Sequence, residues 1–156
     1  MKTFLLKNYK KILAIFIVIL LVYCAIYIDV TLRARSAYLE AEKYVEWYYN
    51  PNKKIKFFEK EFNDKKKQLD KLLSENKLSK DEYDVKLEIL EFEKERKIKE
   101  SSLKYAYIWY KTVIELFSLP ESKWVKLAKQ KIVNIKQMWR KELEQKGYKI
   151  EDYMLE

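Results

Sequence analysis

The side chains with the best claim to chemistry in this 156-residue chain are Ser101, Ser102 and Lys104. Ser101 and Lys104 stand three apart, a spacing that puts a hydroxyl and an amine on one face of a helix. A lysine that gives up its proton is then the base for a serine nucleophile. Lysine is the only candidate for that base, because the sequence contains no histidine, the commonest general base and metal ligand. With 33 lysines and arginines in the chain, such a pair arises readily from composition, and catalysis at it is not expected. Carboxylate pairs such as Glu91 and Glu95 read as solvated or lysine-paired groups rather than as an acid–base couple. No glycine-rich phosphate loop, no His/Cys metal cluster and no Gly-x-Ser-x-Gly elbow occurs. The expectation is a chain that is not an enzyme and takes no cofactor or metal.

What remains is an architecture. Glycine occurs once, at Gly147, and proline twice, at Pro51 and Pro120. Turns draw on those residues, so a chain this poor in them has few places to reverse. Together with 37% charged and 49% hydrophobic residues, this predicts an all-α chain of long amphipathic helices. The abundance of Lys, Ile, Tyr and Asn suits an AT-rich, bacterial genome.

Residues 12–28 form an uncharged run of seventeen, ILAIFIVILLVYCAIYI. As a helix it spans about 26 Å, close to the roughly 30 Å hydrocarbon core of a bilayer. Leu5 and Leu6 extend it if the neighbouring lysines snorkel. A single transmembrane anchor follows, with Ile12, Phe16 and Leu20 in lipid and Tyr23 and Tyr27 toward one interface. The run is longer than a signal-peptide core and no small-x-small cleavage site follows it. The only cysteine, Cys24, reads as a small apolar residue facing lipid, since Tyr23 spoils the lipoprotein box.

Lys2, Lys7, Lys10 and Lys11 precede the run, whereas Arg33 and Arg35 follow it. That balance predicts a cytoplasmic basic N-terminus over residues 1–11 and an extracytoplasmic remainder, periplasmic in a Gram-negative cell.

Residues 30–146 read as a helical domain, and residues 147–156 as a short tail that docks through Tyr148, Ile150 and Tyr153 or frays. The anchor helix is expected to continue to Asn50, its inner face carrying Ala37, Ala41, Val45 and Tyr48. Asn50 and Pro51 then serve as N-cap and first residue of a second helix, reaching Lys77. Its seam is Ile55, Phe58, Phe62, Leu69 and Leu72, interrupted by Lys65. Ser79 and Glu82 predict a capping box, with Leu78 and Tyr83 as a hydrophobic staple, for a third helix whose seam begins Tyr83, Leu87, Leu90. The two make a projecting antiparallel coiled-coil hairpin over residues 52–103. Its fifteen basic and thirteen acidic residues are interspersed, the mark of a solvated, salt-bridged surface rather than of a polyanion-binding one. The third helix is expected to run on to Phe117. Pro120 turns the chain into a last helix, about residues 121–146, with Trp124, Leu127, Ala128, Ile132, Ile135, Trp139 and Leu143 inward. Gly147 is its left-handed stop.

Residues 106–128 resemble the tetratricopeptide (TPR) family. Ala106, Tyr110 and Val113 match the small, aromatic and small-apolar positions of that family's second helix, and Trp124-x-x-Leu127-Ala128 matches the opening of its first. Lys131 stands where the family has tyrosine, and Pro120 comes late in the junction. The resemblance implies protein binding through a helical groove.

Two kinds of contact surface follow. Trp47, Tyr105, Trp109, Trp124 and Trp139 are core or partner-binding aromatics. Lys123, Lys126, Lys129 and Arg140, with Lys136 and Lys141, make the C-terminal region basic and suit anionic lipid or an acidic partner. Nucleic acid is not an expected partner, given the predicted side of the membrane. The expected role is a membrane-anchored scaffold or adaptor that binds protein. The alternative is a small bitopic subunit of an envelope secretion, motility or division complex whose anchor helix also makes contacts. The arm's seams serve equally within one chain or between two, leaving the oligomeric state open.

Overall fold

The computed structural model describes residues 2–151 and 155, with backbone alone for residues 2–8. The expected roles of Lys2, Leu5, Leu6, Lys7 and Tyr153 lie outside the described side chains. The chain is all-α, and the described residues hold no strand. Five helices follow one another: α1 (Lys2–Tyr49), α2 (Pro51–Ser74), α3 (Lys80–Lys99), α4 (Ser102–Leu116) and α5 (Lys123–Gln145).

α1 meets no glycine or proline over its whole length and does not break. Every residue from 9 to 29 on it is exposed. Burial sets in with Ala34, Ala37, Tyr38 and Ala41. Three of these four are alanines at helical spacing, which leaves room for bulky neighbours to approach the backbone. Further along, Trp47 is buried and Tyr48 is exposed, so the inner face turns one residue from the expected one.

The chain divides into two units, one of Met1–Ala41 with Tyr107–Glu156, the other of Glu42–Ala106. In the first, Tyr110 is fully buried, its ring edge-on to Tyr38 at 5.6 Å, and Trp124 tilts onto Tyr38 at 5.4 Å. Val113, Val125 and Ala128 are fully buried. Val125 was not expected inside, whereas Leu127 was expected there and is exposed. The inward positions of α5 are residues 125, 128, 132, 135 and 139, an alternation of three and four that leaves Leu127 off the stripe. Gly147 takes φ +85°, and the N–H groups of Gly147 and Tyr148 donate to the carbonyls of Glu144 and Leu143. That is the expected glycine stop, as a Schellman motif.

The second unit contains the antiparallel α2–α3 hairpin. Pro51 is at the first position of α2, but the Asn50 side chain makes no capping bond. α2 ends at Ser74 rather than Lys77 because Asn76 adopts a left-handed φ of 56°. Its N–H and that of Lys77 then cap the carbonyls of Leu73 and Leu72. Phe58 is buried along the seam and Leu73, not Leu72, closes it. The capping box of α3 is present: Ser79 N–H donates to Glu82 Oε2 at 3.0 Å and Glu82 N–H to Ser79 Oγ at 3.3 Å. Leu78 and Tyr83 are both buried beside it. The Tyr83 hydroxyl also donates to Asp70 at 2.6 Å, tying the start of α3 to α2.

The expected continuous helix from α3 into residue 117 does not form. Glu100 is extended, with ψ 145°, and α4 starts afresh at Ser102. Two side chains stabilise the break. Lys54, buried, donates from Nζ to the Glu100 carbonyl at 2.5 Å, and Ser101 Oγ accepts from the Lys104 N–H at 3.2 Å. The Ser-x-x-Lys spacing that suggested a nucleophile and its base is here a helix N-cap.

Candidate functional site

The strongest concentration of recognition chemistry lies within the second unit, where the end of α1 meets the root of the hairpin. Trp47 projects there because it falls on the inward stripe of α1, and its ring packs against Tyr44, Phe57 and Phe58 at 5.0, 5.0 and 5.4 Å. Tyr105, from the first turn of α4, stacks on Tyr44 at 5.2 Å with 21° between the planes. These rings line a cleft of about 310 Å³ together with Glu61, Arg96, Lys97 and Glu100.

Charge is placed around the rings in pairs. The Lys43 ammonium lies 5.1 Å from the Trp47 centroid and 5.3 Å from that of Phe57, within the reach of cation–π attraction. Lys97 lies 5.5 Å from Phe58 and joins Glu61 at 3.0 Å; Lys65 joins the same carboxylate at 2.7 Å. Hydrogen bonds from Lys65 and Lys97 hold the Glu61 carboxyl below its usual range. Burial pushes the Glu100 carboxyl up, but a hydrogen bond from Tyr105 at 2.5 Å and the charge of Arg96 outweigh it, leaving a net lowering. The same bond raises the Tyr105 phenol. The cleft thus sets aromatic faces beside lysine ammonium groups and ionised carboxylates. Among the described residues no group of three or more Asp, Glu or Cys is placed to hold a metal ion.

Of the aromatic residues singled out by sequence, Trp47 and Tyr105 come together in this cleft. Trp109 is half-buried, and Trp124 and Trp139 are half-buried in the first unit against Tyr38 and Tyr107. The basic set also divides. Lys123 lies over the Trp124 ring at 4.7 Å, Lys129 pairs with Glu121 at 2.7 Å, and Lys126 is exposed. Arg140, expected to meet anionic lipid or an acidic partner, is half-buried with Nε in the interior. It lines a second cleft, about 320 Å³, with Tyr107 and Ile132. Lys43 and Phe57 were missed; their signal was helical adjacency to Trp47 and Phe58. Ile12, Phe16, Leu20, Tyr23 and Tyr27 are all exposed on α1.

Comparison with protein-family models, curated proteins and solved structures finds no match.

The paired carboxylates set a pH dependence. A carboxyl whose folded pKa lies below its unfolded one stabilises the fold above the unfolded value and loses that contribution as pH falls through the folded one. Glu61, Asp70 and Glu100 all shift downward. The hairpin is expected to lose stability progressively below about pH 4.5. Glu61→Gln should flatten part of that acid limb, measured as the urea midpoint by far-UV circular dichroism between pH 3 and 7. An unchanged limb would show that Glu61 contributes nothing to it.

Proposed function

We propose that the chain is a single-pass membrane-anchored helical scaffold whose aromatic cleft receives a protein partner. The observation that carries the anchor is the unbroken exposure of residues 9–29 on α1. α1 is the one described helix long and apolar enough to cross a membrane, with mean hydropathy 2.8 over its most apolar window and none of that window buried. Water is a poor solvent for such a surface. Placing its dozen Ile, Leu, Val and Phe side chains in lipid yields on the order of 5 kcal/mol.

The charge bias supports a cytoplasmic N-terminus. Lys10 and Lys11 are exposed before the apolar stretch, whereas Arg33 pairs with Asp29 at 2.9 Å and Arg35 lies 5.9 Å over the Trp124 ring. Protein binding is supported by the aromatic cleft and by the TPR-like positions Ala106, Tyr110 and Val113, which are fully buried on one face of α4.

Two measurements test this reading in cells. A C-terminal alkaline phosphatase fusion is expected to be active and a C-terminal green fluorescent protein fusion dark. A photo-crosslinking residue at Phe57, on the cleft rim, is expected to capture one defined partner that the same residue at Lys67 does not. Fluorescent fusions would overturn the orientation, and identical adducts from both positions would overturn the cleft.

A further inference from the structure

Within the first unit, the α4–α5 turn carries an exposed apolar surface. Leu119 and Leu116 have 82% and 71% of their surface exposed, the two highest values among the exposed large hydrophobic side chains, above even those on the apolar stretch of α1. The turn is not remote from that stretch. Trp124, two residues beyond it, contacts both Tyr38 and Arg35 on α1, so the turn's exit is fixed to that part of the helix.

Arg35 is seven residues past Ile28, the last residue of the uncharged run. At the helical rise this is about 10 Å, little more than the thickness of a headgroup layer. Leu119 is five residues from Trp124, and five residues of extended chain reach about 16 Å. The turn therefore lies within reach of the membrane surface. Its charge suits that place. Lys123 and Lys126 are exposed in the first turn of α5, and the neighbouring acid, Glu121, is paired with Lys129. Apolar side chains flanked by lysines suit an interface with anionic headgroups.

Resting on the anchor reading, we propose that Leu116 and Leu119 insert into the lipid interface beside α1, with Lys123 and Lys126 on anionic headgroups, making a second membrane contact. Leu119→Cys in a Cys24→Ser background has a single thiol, and at so exposed a site the exchange leaves the fold intact. The full chain, labelled there with an environment-sensitive nitrobenzoxadiazole dye, is reconstituted into phosphatidylethanolamine–phosphatidylglycerol vesicles. Spin-labelled lipids then report depth. Shallow quenchers should quench position 119 at least about threefold more than a label at Asn76→Cys on the hairpin tip. Replacing the anionic lipid by phosphatidylcholine should reduce the difference. The native Cys24, labelled in the otherwise unaltered chain, should respond to deep quenchers. Quenching at Cys24 with none at 119 would overturn this proposal and leave the anchor standing; no quenching at Cys24 would overturn the anchor and this contact with it.

Discussion

Arginine at Ile19 and Leu20 together is expected to release the chain from membranes. An arginine near the centre of a spanning helix costs about 2.5–3.5 kcal/mol, and the isoleucine or leucine that it replaces contributes about 0.5 kcal/mol in the other direction. The pair therefore shifts insertion by about 6–8 kcal/mol, more than the whole apolar stretch supplies by the same scale. Both side chains are more than half exposed, so the folded units lose no packing through the change. Partition between pellet and supernatant after an alkaline carbonate wash is the measurement. The parent chain should stay in the pellet and the double variant should leave it. If both stay, the apolar surface of α1 is being covered by protein rather than lipid.

The second large effect is expected at Tyr110→Ala. Tyr110 heads the fully buried side chains, touching Tyr38, which in turn holds Trp124. Truncating a buried aromatic to alanine removes its transfer free energy and leaves a cavity, together costing about 3–5 kcal/mol. For a domain of this size that is a large share of the 5–15 kcal/mol available. Val133→Ala, on the exposed side of α5, should cost well under 1 kcal/mol. Urea unfolding of the detergent-solubilised protein, followed by tryptophan fluorescence, distinguishes the two. Equal midpoints would show that the interior of this unit is not built around Tyr110.

The start of α3 was fully legible in the sequence, because Leu78, Ser79, Glu82 and Tyr83 act on one another within five residues. So was the end of α5, where Gly147 alone decides the backbone. The apolar run was legible from composition, since nothing but a membrane or a large core accommodates it. The break at Glu100 was not, because its cause is distant in sequence. Lys54 satisfies a carbonyl 46 positions away, and no glycine or proline marks the spot. On α5 Trp124 packs on Tyr38 as expected, but Leu127 falls off the stripe and Val125 takes the inside, which spacing alone does not reveal. Nor does residue type reveal that Lys54 is buried and Arg140 half-buried, which their long aliphatic stems allow. The cleft was half legible. Trp47 and Tyr105 stood out singly, but only the fold brings a residue of α1 and a residue of α4 to the same tyrosine.

The unbroken run of α1 has a mechanical consequence. A helix with no glycine or proline between its apolar stretch and Ala41 gives the first unit no joint on which to swivel about that stretch. Tilt or roll of the apolar stretch is passed on to Ala34, Ala37, Tyr38 and Ala41, as an axle turns the wheel fixed to it. One residue inserted between Asp29 and Ala34 would advance that wheel by about 100° and lift it by about 1.5 Å.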